Sequence, residues 1–395
     1  MEELVPKIYQ RIDGQITEHD MRSEGCGNFA KPMDGFSRGF TNILSLDLFS
    51  STFDYESDHL LSNHPLVYAS TDALVLTENA WDWWWFWGQD DVMDKALMKS
   101  FNDVRAGQRR GGVVPSEIQA LEPLVHEMRL IKSKYEISMM RKSAKISVDA
   151  HKRIFKNCKP GVFEYQIEAD IIHEFGKHGA VPAYTSIVAS GENACTLHYI
   201  SNREKMKAGQ LLLTDAGCEH EMYAADITRT IPISGKYNKE QKEIYELVLQ
   251  VQKTAIDSVK PGKTFEDLQS EAIKGLTQGL KSLGLLKGRL DQLIKSEAYK
   301  DFYMHGIGHW LGMDVHDVGA YMDQKGKSRK FQPGMVLTIE PGIYISKKNK
   351  NVPSQYRGIG IRIEDDVLVT KNGCDVLTKA LPKEIDEVES IMSVN

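Results

Sequence analysis

An α+β fold is what the sequence predicts for residues 116–395, behind a smaller N-terminal part, residues 1–115, that reads differently. Three observations lead there. From Pro123 onward, stretches with helical apolar spacing alternate in blocks with short strand-like apolar runs. Pro-Gly and lone glycine breakers separate those blocks at regular points. No βαβ unit carries a glycine-rich phosphate loop, which argues against a doubly wound dinucleotide binder.

Taken in order, residues 1–62 are patchy, with Gly, Ser and Asp scattered among short apolar pairs, and residues 66–76 supply a short strand or two. Trp81, Trp83, Trp84, Trp85 and Trp87 follow, five of the six tryptophans; a run of this kind suits a binding or subunit-contact surface, or simply core packing. Residues 107–112 read as a linker. Residues 132–157 form a helix with Ile137, Met140, Ala144 and Val148 on its apolar face, broken by Pro160-Gly161. Residues 163–177 resume a helix up to His178-Gly179, and 186–190 are a short strand. Residues 210–217 and 222–233 are strands joined by a short polar turn. Helices over 238–259 and 264–283 close at Pro261-Gly262 and Gly284. Residues 335–346 and 359–370 are strands separated by a polar loop, whose lysines at 347–350 form a solvated turn.

Bulk composition excludes several classes of function. The 395 residues are 41% hydrophobic and 26% charged, with no biased tract, as in a soluble globular protein. A net charge of −6 and no clustered basic face exclude a nucleic-acid partner. No apolar run approaches a membrane span, and the first residues, MEELVPKIYQ, do not resemble a secretory signal. Cys26, Cys158, Cys195, Cys218 and Cys374 are odd in number and lack a Cys-x-x-Cys pair, so they read as reduced thiols of a cytoplasmic protein.

The chemistry gathers in three places. Asp215 and Asp226 each interrupt an apolar strand, where a carboxylate is costly to bury without a positive partner. If the two strands form a hairpin turning between His220 and Glu221, these carboxylates lie opposite each other on one face. Like charges so close require a proton or a bridging cation; the alternative is one Asp capping a turn and the other exposed. Next come His305, His309 and His316, three of the chain's 12 histidines, interleaved with glycines that let backbone approach closely. Singly each suits a structural role; clustered, they favour a site. Finally, Glu340 in Thr-Ile-Glu-Pro-Gly and Glu364 in Arg-Ile-Glu-Asp-Asp interrupt strand-like runs, with Pro341-Gly342 ending the pairing just after Glu340. Arg362 shares a face with Glu364, so an Arg–Glu ion pair without metal is the alternative there. Four carboxylates and one imidazole form an oxygen-rich, sulfur-free set suited to two Mn²⁺, with Co²⁺ or Zn²⁺ as substitutes.

The order Asp215, Asp226, His309 in HGIGHWLG, Glu340 in TIEPG and Glu364 in RIEDD resembles the metallopeptidases of the pita-bread fold. Within them, VHEMRLIKS, SGENACTLHY, DAGCEHEMYAADITRT, HGIGHWLGMDVHDVG and YRGIGIRIEDD resemble the aminopeptidase P (Xaa-Pro aminopeptidase) family, from about Pro123 to the C-terminus. The resemblance implies two pseudo-symmetric halves enclosing a dimanganese centre. Asp226, His309 and Glu364 would serve one ion and Asp215 with Asp226 the other, with Glu340 and Glu364 bridging or flanking. It implies hydrolysis of the bond between an N-terminal residue and a following proline, with Glu340 as the base. His198 and His316 would contact substrate and stabilise the developing oxyanion. His305, Tyr344 and Arg362 would line the proline side or orient the carboxylates. It implies a longer N-terminal α/β domain than residues 1–106 match, so that domain is expected to be short or divergent, and a homo-oligomer, dimer or tetramer, is compatible. Prolidase, which cleaves Xaa-Pro dipeptides, shares the five ligands and is the alternative enzyme. A metal-free pita-bread binding module, or creatinase-like C–N hydrolysis, would not keep the complete set.

Overall fold

The computed structural model describes residues 91–107 and 122–393 apart from residue 324, together with residue 109 and three strands at 66–69, 73–77 and 117–120. The tryptophan run at 81–87 lies outside the described residues, as do residues 108 and 110–112 of the expected linker. The chain divides into two units, Met1–Met128 and Arg129–Asn395. In the first unit, β1 (Leu66–Ala69) pairs antiparallel with β2 (Ala73–Thr77), which pairs in parallel with β3 (Glu117–Ala120). Helix α1 (Asp91–Ala106) falls where the sequence reading placed no element. Helix α2 (Glu122–Leu130) runs across the division between the units.

The second unit is built twice over from the same plan. Helix α3 (Lys134–Asn157) starts at a capping box, Ser133 Oγ accepting from the Glu136 amide while Glu136 returns to the Ser133 amide. Met140, Ala144, Val148 and Ile154 recur on one buried stripe of it. Gly161, at φ 95°, turns the chain into α4 (Glu164–Lys177), which packs against α3. After the short β4 (Val181–Pro182) come β5 (Ile187–Ser190), β6 (Leu211–Asp215), β7 (Cys218–His220), β8 (Tyr223–Ala224) and β9 (Thr228–Pro232). β5, β6 and β9 form an antiparallel sheet in that order. The second half repeats the scheme. Helices α5 (Lys239–Ser258) and α6 (Phe265–Ser282), capped by Asn238 and Thr264, precede an antiparallel sheet. Its strands are β10 (Val336–Ile339), β13 (Asp365–Val369) and β14 (Cys374–Val376), in the order β10-β13-β14. β11 (Gly342–Tyr344) and β12 (Gly360–Arg362) form a separate ribbon. Two further helices, α7 (Leu290–Lys295) and α8 (Ile385–Ser393), had no counterpart in the sequence reading.

The halves join where β9 meets β12. Thr230 Oγ1 donates to the Arg362 carbonyl and accepts from its amide, and the Glu364 amide donates to the Thr228 carbonyl. All five residues of β6 are buried, so it reads as a continuous apolar run rather than an alternating one. Its side chains divide between two clusters. Leu212 joins the main core, whereas Leu213 packs with Ile187, Ala189, Ala194 and Tyr344 on the face that also carries Asp215. Among the described residues no helix is long and apolar enough to cross a membrane.

Candidate active site

Two structural breaks deliver the acids. The expected strands 210–217 and 222–233 are each interrupted: Gly217 passes so close to Ala225 that a Cβ there would lie 1.7 Å from the Ala225 carbonyl oxygen. The hairpin turns on Glu221 and Met222, both left-handed at φ 49° and 72°, the pattern of a two-residue primed turn built without glycine. That moves its axis one residue along from the expected one. Asp215 therefore faces Thr228 rather than Asp226, a correction of two positions in register. Because side chains alternate with period two, the shift leaves Asp226 on the Asp215 face, now as a diagonal neighbour. The second half breaks at the matching places. Glu340 follows β10 directly and Glu364 precedes β13, as Asp215 ends β6 and Asp226 lies just before β9. At Pro341 the chain leaves β13 and pairs through β11 with β12.

These acids share one cleft of about 290 Å³ with Leu197, His198, His305, His309, His316 and Arg362. Asp226, His309 and Glu364 offer ligand atoms all within 4.8 Å of one another. His309 reaches the site because Gly308 lets the chain touch β10: a Cβ there would sit 1.9 Å from the Thr338 carbonyl oxygen. His309 Nδ1 lies 2.9 Å from the Trp310 carbonyl, which assigns the proton to Nδ1 and turns Nε2 toward Asp226 Oδ2 at 3.3 Å and Glu340 Oε1 at 3.7 Å. Tyr184, from the loop after β4, bridges the aspartates, its hydroxyl 2.6 Å from Asp215 Oδ1 and 2.5 Å from Asp226 Oδ1. One hydroxyl proton cannot serve two carboxylates at once.

Arg362 does not form the metal-free ion pair with Glu364 that the spacing allowed. Its Nη2 donates to Asp215 Oδ2 at 2.5 Å, its Nη1 to the Tyr344 hydroxyl at 3.0 Å, and its Nε to Thr228 Oγ1 at 3.0 Å. Thr228 in turn donates to Glu364 at 2.6 Å. His305 holds its Nδ1 to the Gly306 carbonyl and receives the Tyr344 hydroxyl at Nε2, both at 2.8 Å. His316 packs edge-on to His309, ring centres 4.4 Å apart, and exposed His198 borders the cleft. All ten proposed positions therefore fall in or against one cleft, with Tyr344 entering through His305 and Arg362. Tyr184, Thr228 and Asp366, which accepts the Asp226 amide, were not singled out in the sequence. Thr228 and Asp366 had a signal, lying two residues beyond Asp226 and Glu364 on the same strand face. Tyr184 had none, because its place depends on a loop from elsewhere in the chain.

The electrostatics leave this cluster short of positive charge. Burial and the neighbouring charge of Asp215 raise Asp226; burial and the charges of Asp226 and Glu340 hold Glu364 well above the usual carboxylate range. Burial raises Glu340 to about 7 despite His309 and Arg362. Burial alone would lower His309, but its hydrogen bond to Asp226 and the charges of Asp226 and Glu340 outweigh that and raise it to about 9. Burial lowers His305 to about 4 and lowers His316 as well. Four buried or half-buried carboxylates and the His309 imidazole form a donor set that divalent cations fit, by charge and by atom type.

Comparison with known proteins agrees with this geometry. Residues 138–371 match the model of metallopeptidase family M24. The chain is 52% identical over 279 residues to a Xaa-Pro aminopeptidase of Haemophilus influenzae, covering 70% of this chain and 64% of that protein. It is 46% identical over 304 residues to a Xaa-Pro aminopeptidase of Escherichia coli, covering 77% of this chain and 67% of that one. The solved structure of Pseudomonas aeruginosa aminopeptidase PepP superposes with a TM-score of 0.74 at 50% identity, over 78% of this chain and 70% of that one. The chain thus spans about two thirds of the length of these curated relatives. Its α+β architecture is the pita-bread fold of these neighbours. With this match spanning both halves of the fold, the chain belongs to metallopeptidase family M24.

Proposed function

We propose that this protein is a dimetal Xaa-Pro aminopeptidase, removing the first residue of peptides with proline in second position. The observation that carries the reading is the convergence of Asp215, Asp226, His309, Glu340 and Glu364 on one cleft that also receives His198, His305, His316 and Arg362. Those five residues would hold two Mn²⁺, an assignment that rests on their oxygen-rich chemistry. When bound, such a pair makes water acidic and polarises the scissile carbonyl. The chain's own groups do the rest. Glu340, on the cleft wall beside His309, is placed to accept a proton from the attacking water. His198 and His316 supply donors for the developing oxyanion at the cleft wall. Arg362 fixes Asp215 and Tyr344, and Tyr344 fixes His305, so the wall is oriented before substrate arrives.

We place the protein in the cytoplasm, since the four described cysteines are all free. Residues 1–115 are assigned to a separate N-terminal domain and 116–395 to the catalytic one. The deciding assay offers Xaa-Pro-Yaa tripeptides and Xaa-Pro dipeptides side by side to Mn²⁺-loaded protein. Release of the first residue from tripeptides is the expected result, with two Mn²⁺ bound per chain. Preference for the dipeptide would make the protein a prolidase, and no bound metal with no hydrolysis would leave a binding module.

A further inference from the structure

The loop between β5 and β6 brings Leu197 and His198 to the cleft, yet its shape is set from a distance by one carboxylate. Glu164, the first residue of α4, has no exposed surface and accepts five hydrogen bonds. Its Oε1 receives the Ser190 amide and the Ser190 hydroxyl, each at 2.7 Å, and the Asn193 side-chain amide at 3.1 Å. Its Oε2 receives the Tyr199 hydroxyl at 2.8 Å and the Glu204 amide at 2.9 Å. Every one of these donors belongs to the segment 190–204. Ser190 is where the loop leaves β5, Glu204 lies near its return, and Tyr199 is the neighbour of His198. The Glu164 amide also donates to the Glu204 carbonyl at 3.0 Å.

A buried charge bonded so completely is held by, and holds, the groups around it. A second clip reinforces the far end. Asn202, left-handed at φ 48°, accepts the Val188 amide at 3.0 Å and donates to the Ser186 carbonyl at 2.8 Å. Within the loop, His198 itself is exposed and adjoins the anchored Tyr199. Glu164 lies among neither the acids nor the histidines of the cleft.

We propose that Glu164 is a positioning residue: by closing the loop 190–204 on a single buried carboxylate, it holds His198 where substrate is met. The inference rests on the reading of the cleft as a peptidase site with His198 facing substrate. It separates two properties that share the cleft, because nothing in the Glu164 network touches a proposed metal ligand.

The test is a double-mutant cycle on Mn²⁺-loaded, full-length protein. Glu164→Gln and Tyr199→Phe are each made alone and in combination with His198→Ala, and kcat/KM is measured on an Xaa-Pro-Yaa tripeptide. Charge-assisted hydrogen bonds of this kind set the scale, so Glu164→Gln is expected to lower kcat/KM about 10- to 100-fold and Tyr199→Phe about 3- to 10-fold. On the His198→Ala background both effects shrink to less than about twofold, because the group being positioned is gone. Mn²⁺ affinity, read by calorimetry, stays within about twofold of the parent. Equal losses on both backgrounds, or loss of Mn²⁺ binding, would overturn the proposal in favour of a general structural role. Hydrogen exchange gives a reading independent of activity. Faster exchange across residues 191–203 but not 211–232 in both variants is expected, and unchanged exchange overturns the inference. Failure of the parent protein to cleave any tripeptide would instead overturn the peptidase reading, and the exchange result would still decide the anchoring.

Discussion

Glu364, Asp365 and Asp366 are three consecutive acids, all almost fully buried, yet the fold treats them in opposite ways. Asp365 points into the core, where Arg229 Nη2 and Lys383 Nζ each reach it at 2.7 Å, Thr378 Oγ1 at 2.7 Å and Gln252 Nε2 at 2.8 Å. Burial there would raise its pKa, but the charges of Arg229 and Lys383 win and hold it far below the usual range. Glu364 and Asp366 stand well above that range, raised by burial first and then by the charge of Asp226. Burial of an acid is therefore no mark of a metal site in this molecule. What distinguishes Glu364 and Asp366 from Asp365 is that, among the described residues, no lysine or arginine bonds them directly, and a dication is a group that would supply the charge.

The strongest way to break that contrast is on the cleft side. Asp226 shares Tyr184 with Asp215, faces His309 and lies in the three-residue group with Glu364. Asp226→Ala is expected to remove at least one bound Mn²⁺ per chain, counted by elemental analysis. It should lower kcat/KM by about four orders of magnitude, as loss of several kcal/mol of metal-borne charge stabilisation requires. Full metal content with near-normal turnover would refute the ligand assignment. On the core side the expected loss is of stability instead. Asp365→Asn leaves Arg229 and Lys383 without their anion, which should cost about 3–5 kcal/mol. Denaturant unfolding of the metal-loaded protein checks this, with Mn²⁺ content unchanged; a variant as stable as the parent would mean that Asp365 is not the keystone of that network.

How much of this could be read beforehand depends on how local each signal is. The helices beginning at Lys134, Lys239 and Phe265 announce themselves through apolar period, capping residues and the Pro-Gly or Gly stops, all within a few positions of the chain. The strands read longer than they are because their breaks are decided by partners. Pro341-Gly342 signals that the pairing ends just after Glu340, but nothing beside it tells that the chain goes on to pair with β12. The Asp215–Asp226 face was legible from parity, but the register was not, since Glu221 and Met222 make a left-handed turn without the usual Asn-Gly signal. For Glu364 the residues alone left an ion pair with Arg362 open. The resolution, Arg362 onto Asp215 and Thr228 onto Glu364, needs the two halves of the fold in contact.

His151 offers the smallest effect and the sharpest view of the core side. It lies on α3, wholly buried, with Nε2 3.0 Å from the carbonyl of Ala216, the residue between Asp215 and the Gly217 crossing. Burial holds its pKa down at about 4, so the folded protein keeps it neutral where an unfolded chain would take a proton. Above pH 6.5 both states are neutral and the contribution is complete. As pH falls from 6.5 toward 4 the unfolded state gains the proton first, and stability drains away over that window. The full shift corresponds to about 3 kcal/mol, with a limiting slope of about 1.4 kcal/mol per pH unit. His151→Gln keeps an N–H for the Ala216 carbonyl but cannot titrate. The difference between the two stability curves should therefore open below pH 6.5 and level off near 4. Parallel curves would mean that His151 is not held neutral, and that the core behind the aspartates tolerates the charge which the cleft in front of them demands.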